Sequence, residues 1–215
     1  MTKTSAHSYM GEDARRNHII EVATKAFHSE GIRNVTMDHI AHALTMSKRT
    51  LYQLFSDKED LLLACALKRE QEEHALIEKL NQQTDNVLDH LLATFALRMR
   101  EMDDIKPDFF TEIVKYPRVI KFYEQAQKER EAEAVNFLNK GIKQGFFRPN
   151  VNFHIVYNQL CTGLSALMTN SDMNQYSQRE LFRNTVIPYV RGCATIKGIE
   201  IIDRFMDKYD TQMML

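Results

Sequence analysis

The stretch SKRTLYQLFSDKEDLL, residues 47–62, carries most of the information about the fold. At 100° per residue, positions 47–55 form a short helix with two different faces. The long polar side chains share one face: Lys48, Arg49, Tyr52 and Gln53. The apolar side chains share the opposite face: Leu51, Leu54 and Phe55. The pattern predicts a short helix that docks on a core through one side and exposes two cations, a phenol and an amide on the other.

The flanking segments predict three more helices. Apolar residues within 13–30 repeat at i, i+4, i+7 and i+8, which indicates a first helix that ends at Gly31. Thr36 is the expected N-cap of a second, short helix, and Ser47 is the expected N-cap of the third. Ser56 and Asp57 are expected to cap a fourth helix that runs to about residue 80, and Asp57 complements its N-terminal dipole. Two short helices joined by a few residues have the geometry of a helix-turn-helix.

The rest of the chain shows longer helical periodicities and no extended strand-like alternation. The predicted helices are 87–102, 107–116, 117–145, 153–168 and a last one from Ser177 towards 207, with a kink or break because Pro188, Gly192 and Gly198 lie inside it. The expected fold is therefore all-α, with a small N-terminal module of three helices followed by a larger helical bundle. Residues 1 to about 11 are polar and predict a frayed tail.

Composition narrows the class of protein. Of the 215 residues, 44% are hydrophobic and 27% are charged, which is typical of a globular protein. Seven Gly and four Pro are fewer than the turns of a β-sandwich need. No apolar run approaches the roughly 18 residues of a membrane span. The three cysteines (Cys65, Cys161, Cys193) lie far apart and fit neither a disulfide framework nor a metal site. We expect a cytoplasmic protein.

Enzyme motifs are missing from the sequence. It contains no GxGxxG, P-loop, GxSxG or HExxH pattern, and the glycines occur singly. His74, His90 and His154 are isolated, and no carboxylate pair stands out among the solvated charges. We expect no catalytic activity, no cofactor and no metal site.

The polar face of the 47–55 helix suits nucleic acid. Arginine binds guanine edges bidentately and glutamine can bind adenine in the same way. Tyr and Thr hydroxyls and lysine suit phosphate contacts, and Lys58 lies beside the free N–H groups that open the fourth helix. The alternative is the solvated face of an ordinary surface helix, since Lys, Arg and Gln are common on surfaces.

Residues 16–61 resemble the DNA-binding domain of TetR/AcrR-family transcriptional repressors. The matching residues are Arg16, Ile19, Ile20, Ala23, Phe27, Gly31, Val35, Thr36, Met37, Ile40, Ala41, Ser47, Lys48, Thr50, Leu51, Tyr52, Phe55, Lys58, Glu59, Asp60 and Leu61. The resemblance implies a helix-turn-helix DNA-binding domain in residues 1–61 and a helical effector-binding and dimerisation domain in residues 62–215. It implies binding of a double-stranded DNA operator by a homodimer associated with the nucleoid.

The resemblance also assigns roles to residues near the third helix. It makes Lys48 and Arg49 candidates for base contacts, and Tyr52 and Gln53 candidates for bases or backbone. The candidates for phosphate contacts are Thr36, Thr50 and Lys58, and Ser47 completes the predicted DNA-binding set.

The chain departs from the family pattern at three places. The turn that commonly reads Ala-Gly-Val is here Leu44-Thr45-Met46, and Thr45 lacks the freedom of glycine at positive φ. Arg49 stands where a small residue is frequent, which adds a base-reading side chain. Leu54 stands where an aromatic residue or histidine is common, so one backbone contact is expected to be missing.

An effector pocket is expected among the helices after residue 86. Methionine and aromatic side chains build adaptable apolar cavities, although each is more often simply core. The predicted lining is Phe95, Met99, Phe110, Ile113, Tyr116, Tyr123, Phe137, Tyr157 and Cys161. The expected ligand is small and either hydrophobic or amphipathic.

Two apolar stripes near the end of the chain predict a two-fold dimer interface made of four helices. The stripes are Phe153, Val156, Leu160 and Leu164, then Phe182, Val186, Tyr189 and Cys193. The alternative is that both stripes face the core of their own protomer. The function expected from these observations is a dimeric repressor that a small effector releases from a pseudo-palindromic operator. The alternative function is an architectural or partner-controlled DNA-binding factor that has no effector.

Overall fold

The computed structural model describes residues 11–213, apart from the side chains of Asn81, Gln83 and 211–213. Within this range the chain forms ten α-helices, and the expected all-α fold is confirmed. They are α1 (Glu12–Glu30), α2 (Met37–Ala43), α3 (Lys48–Leu54), α4 (Lys58–Gln83), α5 (Val87–Asp103), α6 (Pro107–Ile113), α7 (Pro117–Lys143), α8 (Phe153–Met168), α9 (Gln178–Cys193) and α10 (Ile196–Met213). The predicted tail lies almost wholly outside the described residues. In the described range no helix is both long and apolar enough to cross a membrane.

Local capping explains why most helices begin where the sequence predicts. Asp57 caps α4 by accepting a hydrogen bond from the backbone N–H of Asp60 (2.7 Å). Ser177 and Glu180 form a reciprocal capping box at the start of α9. Pro107 and Pro117 occupy the first positions of α6 and α7, where the missing N–H of proline costs nothing.

The predicted last helix is divided in two, and the break lies six residues beyond Pro188. Helix α9 continues through this proline to Cys193, and Ala194 is extended. The break is held by the α7–α8 connection: the N–H of Arg148 donates to the Cys193 carbonyl and the N–H of Thr195 donates to the Phe146 carbonyl, each at 2.9 Å. These long-range hydrogen bonds, rather than the proline, determine where the helix ends.

The buried side chains form two cores. The N-terminal core joins α1–α3 to the first half of α4, and it also takes in the end of α5, α6 and the start of α7. The C-terminal core lies among α5, α7, α8, α9 and α10. Because Leu62, Cys65, Phe109 and Ile113 belong to the N-terminal core, packing is continuous across residue 61. The division into domains at residue 61 stays a prediction.

Candidate nucleic-acid interface

Side-chain caps fix the beginning of both short helices. The Thr36 hydroxyl accepts from the N–H of His39 (3.1 Å) and opens α2. The Ser47 hydroxyl accepts from the N–H of Thr50 (3.1 Å) and lies 2.8 Å from its side-chain oxygen. Both predicted N-caps are confirmed, and they orient α2 and α3 through bonds that span three residues.

The turn between α2 and α3 is a Schellman motif with threonine at the position that usually holds glycine. The N–H of Met46 donates to the Ala41 carbonyl (2.9 Å) and the N–H of Thr45 donates to the His42 carbonyl (3.0 Å). Thr45 has a φ of 52°, the only positive φ of a non-glycine residue within 11–213. The turn therefore has the backbone geometry that glycine usually adopts, and Thr45 is strained in it.

Replacing Thr45 by glycine is expected to stabilise the protein by roughly 0.5–1 kcal/mol. A left-handed conformation costs an L-residue about 1–2 kcal/mol, which exceeds the entropy that a new glycine loses on folding. Urea unfolding followed by circular dichroism gives the free energy. Thr45→Ala is the matched control, since it removes the same side chain but keeps a Cβ. Equal stability of the two variants would contradict the interpretation.

The inner face of α3 is anchored on the N-terminal core. Leu51 and Phe55 are both 0% exposed, and Leu54 is half-buried. Arg16 of α1 donates to the Leu54 carbonyl (3.0 Å), and its guanidinium carbon lies 4.3 Å from the centre of the Phe55 ring. The end of α3 is thereby tied to α1 by apolar packing, a hydrogen bond and a cation–π contact.

The outer face of α3 carries the four predicted polar side chains. Lys48, Arg49, Tyr52 and Gln53 are all exposed, which confirms the predicted division into two faces. Lys48 pairs with Asp38 of α2 (2.5 Å), whereas Arg49 forms no ion pair or hydrogen bond with the described part of the chain. The face is therefore a solvated row of long side chains on a fixed backbone.

The remaining predicted DNA-binding residues are engaged within the protein. Thr36 and Ser47 are exposed caps, and Thr50 is half-buried beneath Ser47. Lys58 donates to the Ile32 carbonyl, and its ammonium lies 5.9 Å from the centre of the Phe27 ring. Partial burial lowers the pKa of Lys58, although Glu112 opposes that shift. Phosphate binding by Lys58 stays a prediction.

The sequence did not indicate that the helix-turn-helix is tied to the corner formed by α6 and α7. Arg118 pairs with Asp57 (2.6 Å) and Glu59 (3.1 Å), and its own N–H donates to Glu59 (2.8 Å). The N–H of Arg33 donates to the carboxylate of Glu112 (2.7 Å). The two residues of each pair are 59, 61 or 79 positions apart in the sequence, so no local pattern connects them.

His28 lies at the same junction. Its ring meets Phe109 of α6 edge-on at 4.8 Å, and its carbonyl accepts from the N–H of Lys106 (2.9 Å). Burial lowers the pKa of His28 to about 4, and nearby Arg69 contributes to the shift. The imidazole is neutral near pH 7 and acts there as a packing group.

The predicted effector-pocket residues are divided between the two cores. Four belong to the C-terminal core (Phe95, Met99, Phe137 and Tyr157) and four to the N-terminal core (Phe110, Ile113, Tyr116 and Tyr123). Cys161 is half-buried. Only Tyr123 borders one of the two best-formed cavities of the described chain, a space of about 20 Å³. These side chains pack in two separate clusters, and their role in binding an effector stays a prediction.

The predicted dimer stripes lie on α8 and α9, which pack against each other. Phe153 and Cys193 are buried in the C-terminal core. The others are half-buried: Val156, Leu160, Leu164, Phe182, Val186 and Tyr189. The structure thus assigns the two buried residues to the core of the protomer, and the dimer role of the half-buried ones stays a prediction.

The family and its relatives agree with this geometry. Residues 19–65 match the family described as bacterial regulatory proteins, tetR family. The HTH-type transcriptional repressor KstR2 of Mycobacterium tuberculosis is 25% identical over 151 residues, which cover 67% of this chain and 75% of that protein. An HTH-type transcriptional regulator of Staphylococcus aureus is 44% identical over 54 residues, which cover 24% of this chain and 29% of that protein.

Solved structures share the fold. The structure of KstR2 has a TM-score of 0.57 at 20% identity and covers 86% of this chain and 97% of that one. A transcriptional regulator from Saccharomonospora viridis in complex with choline has a TM-score of 0.68 at 18% identity, covering 86% of this chain and all of the other. The helix-turn-helix that is capped, anchored and exposed as described lies within the segment that matches the tetR family of bacterial regulatory proteins, and the relatives support a TetR-family regulator.

Proposed function

We propose that this protein is a dimeric repressor that binds a pseudo-palindromic operator through α3 and is released by a small effector. One observation carries the proposal: Arg49, Tyr52 and Gln53 project into solvent from a helix whose other face is anchored by the completely buried Leu51 and Phe55. A rigid helix that presents such side chains fits the major groove of DNA, where arginine and glutamine read base edges.

The outward surface of α8 and α9 supports the dimer. Helix α8 is largely apolar, yet Phe153 and Met168 at its two ends are its buried residues. Ile155 is 63% exposed, and an added Cβ at Gly163 or Gly192 would meet open space. A second copy packed on this surface would cover the exposed apolar area and set the spacing of two recognition helices by two-fold symmetry.

Two connections would transmit effector binding to α3. Helix α4 enters the N-terminal core through Leu61 and Leu62 and continues into the C-terminal half of the protein. The Arg118 ion pairs hold the corner of α7 to the start of the same helix. A ligand that favours another position of α4 or α7 would change the spacing of the recognition helices. Binding of the ligand would then lower the affinity for the operator, and binding of the operator would lower the affinity for the ligand by the same factor.

Operator binding is tested by fluorescence anisotropy at about 150 mM salt, with DNA from upstream of the protein's own gene and excess unrelated DNA as competitor. The proposal expects binding that survives the competitor. If the competitor abolishes binding, selection from random DNA tests whether the protein recognises another sequence. Failure to enrich any palindromic sequence would contradict the proposal.

Asp38→Asn is expected to tighten operator binding by a few-fold at low salt. The substitution releases Lys48 from its ion pair and removes a negative charge that would face phosphate. Residues 1–61 carry eight Lys and Arg against eight Asp and Glu, so one charge is a sizeable change. Anisotropy titrations at several salt concentrations measure the effect, and the salt dependence should steepen. Asp89→Asn on α5 makes the same change in charge away from α3 and should leave affinity unchanged.

The packing of the aromatic and methionine residues into two cores favours a second candidate function. A DNA-binding factor controlled by a partner protein, without a small-molecule effector, needs no cavity among them. A thermal-shift screen with amphipathic compounds separates the two candidates. Ligands that raise the melting temperature and weaken operator binding support the repressor, and a screen without such ligands supports the second candidate.

A further inference from the structure

Three carboxylates lie at the start of α4, directly after α3. Asp57, Glu59 and Asp60 occupy three of the positions 57–60, and only two residues separate Asp57 from Leu54, where α3 ends. The Asp57 carboxylate accepts from the N–H of Asp60 (2.7 Å), and the Asp60 carboxylate accepts from the N–H of Ser56 (2.9 Å). These hydrogen bonds hold both carboxylates beside the end of α3.

DNA bound by α3 would bring phosphates close to these carboxylates. Helix α3 has seven residues, so it is about 10 Å long, and the major groove of DNA is about 12 Å wide. When the outer face of α3 occupies the groove, both ends of the helix lie near the phosphates that border it. Charges in water act over about 8–10 Å near physiological salt. The carboxylates that follow α3 would therefore repel those phosphates.

The lysine in the same segment does not offset the three carboxylates. Lys58 is the one cation within 57–60. Its ammonium donates to the Ile32 carbonyl and lies 5.9 Å from the centre of the Phe27 ring. The protein itself engages this charge, and segment 57–60 keeps an excess of negative charge.

Arg118, the second residue of α7, supplies positive charge from outside the helix-turn-helix. Its guanidinium pairs with Asp57 (2.6 Å) and with Glu59 (3.1 Å). The hydrogen bond that it donates to Glu59 raises the pKa of Arg118, and the charges of Asp57, Glu59 and Asp60 add to that shift. The side chains of Arg118 and Asp57 are 45% and 55% exposed, so this ion pair faces solvent, where DNA can approach it.

We propose that Arg118 of α7 belongs to the DNA-binding surface, where its charge offsets Asp57 and Glu59 and lets phosphate approach the end of α3. It acts through these carboxylates, so it is a positioning residue and reads no base. This inference rests on the proposed function, because it concerns DNA bound through α3. It also gives a movement of α7 a second consequence. Withdrawal of Arg118 from α4 would uncover two carboxylates and weaken DNA binding even at an unchanged spacing of the recognition helices.

The first test removes the charge of Arg118 in the full chain. Anisotropy titrations at about 50 mM salt use the selected operator and an unrelated duplex. Arg118→Gln should weaken both DNAs by about three- to tenfold, because phosphate repulsion carries no sequence information, and the loss should shrink as salt is raised. Lys128→Gln is the matched control: it removes the same charge from an exposed position about 15 Å farther along α7 and should change neither affinity.

Further variants separate the charge of Arg118 from its role in tying α7 to α4. Arg118→Lys keeps the charge but loses the forked geometry of the guanidinium, and it should retain most of the affinity. Asp57→Asn removes one carboxylate, keeps an oxygen that can cap α4, and should tighten binding. Arg118→Gln combined with Asp57→Asn has the net charge of the parent and should bind DNA nearly as well as the parent. A purely structural tie predicts that this double variant is at least as weak as Arg118→Gln.

Two results would overturn the proposal: equal affinities of Arg118→Gln and Lys128→Gln, or a double variant that stays as weak as Arg118→Gln. Thermal melts verify that each variant is folded. If Asp57→Asn fails to fold, Glu59→Gln removes the other partner of Arg118 and leaves the cap of α4 intact. A parent protein that binds neither DNA refutes the proposed function together with this inference. Parent binding that Arg118→Gln leaves unchanged refutes the inference alone.

Discussion

Arg49→Ala is expected to weaken operator binding by roughly 1–3 kcal/mol, or about 5- to 150-fold. Arg49 is exposed on the outer face of α3 and is free of ion pairs within the described chain, so its guanidinium is available to a base edge. A bidentate contact with guanine is the commonest specific arginine contact in the major groove. Anisotropy titrations with the selected operator measure the loss.

The same variant distinguishes base reading from simple charge attraction. If Arg49 reads a base, its loss weakens operator DNA far more than unrelated DNA, and changing one operator base pair reproduces the effect. Arg204→Ala on α10 removes an equal charge from an exposed position and should leave both affinities unchanged. The stability of Arg49→Ala should stay within about 0.5 kcal/mol of the parent. An equal loss on both DNAs would show a phosphate contact instead.

Local signals made the helix-turn-helix predictable. The caps at Thr36, Ser47 and Asp57 each depend on a bond to a backbone N–H three residues ahead. The two faces of α3 follow from the helical period alone. Even the strain at Thr45 could be predicted, because the Schellman motif requires positive φ at one position whichever residue occupies it.

Features that depend on distant residues were not predictable. The break after Cys193 is fixed by hydrogen bonds to Phe146 and Arg148, nearly 50 residues earlier, and Pro188 is tolerated inside α9. The Arg118 ion pairs likewise cross from α7 to α4. Sequence periodicity finds which residues are apolar, but it cannot tell a filled core from a cavity.

The space of about 250 Å³ between α4 and α5, bordered by Leu76, Ile77 and Leu97, illustrates the same limit. Its apolar lining consists of leucine and isoleucine side chains at ordinary helical spacing. In a sequence, that spacing predicts residues of a packed core. Its charged lining consists of Arg69 and Arg98 with Glu72, Glu73 and Glu101, and such a mixture of charges in a sequence indicates a solvated helix face. Only the packing of α4 shows that these residues border a space. The first half of the helix is packed in the N-terminal core, whereas none of the described side chains from 67 to 82 is buried.

Phe55→Ala is expected to lower the free energy of unfolding by about 3–5 kcal/mol, a larger effect than any other substitution considered. Phe55 is completely buried in the N-terminal core, and its ring also contacts the guanidinium of Arg16 on α1. Truncation leaves a cavity beneath the recognition helix and removes the cation–π contact, which adds about 0.5–1 kcal/mol. Urea unfolding at fixed protein concentration, followed by far-ultraviolet circular dichroism, measures the change, since the chain has no tryptophan.

Tyr52→Ala is the matched control for this prediction, because it truncates an aromatic residue of the same helix that is 49% exposed. Its cost should stay below about 1 kcal/mol. Phe55→Leu should fall between the two, since it keeps apolar volume but loses the ring that Arg16 covers. If Phe55→Ala and Tyr52→Ala destabilise equally, α3 is not anchored through its inner face. The fixed presentation of Arg49 and Gln53 to DNA would then lose its structural basis.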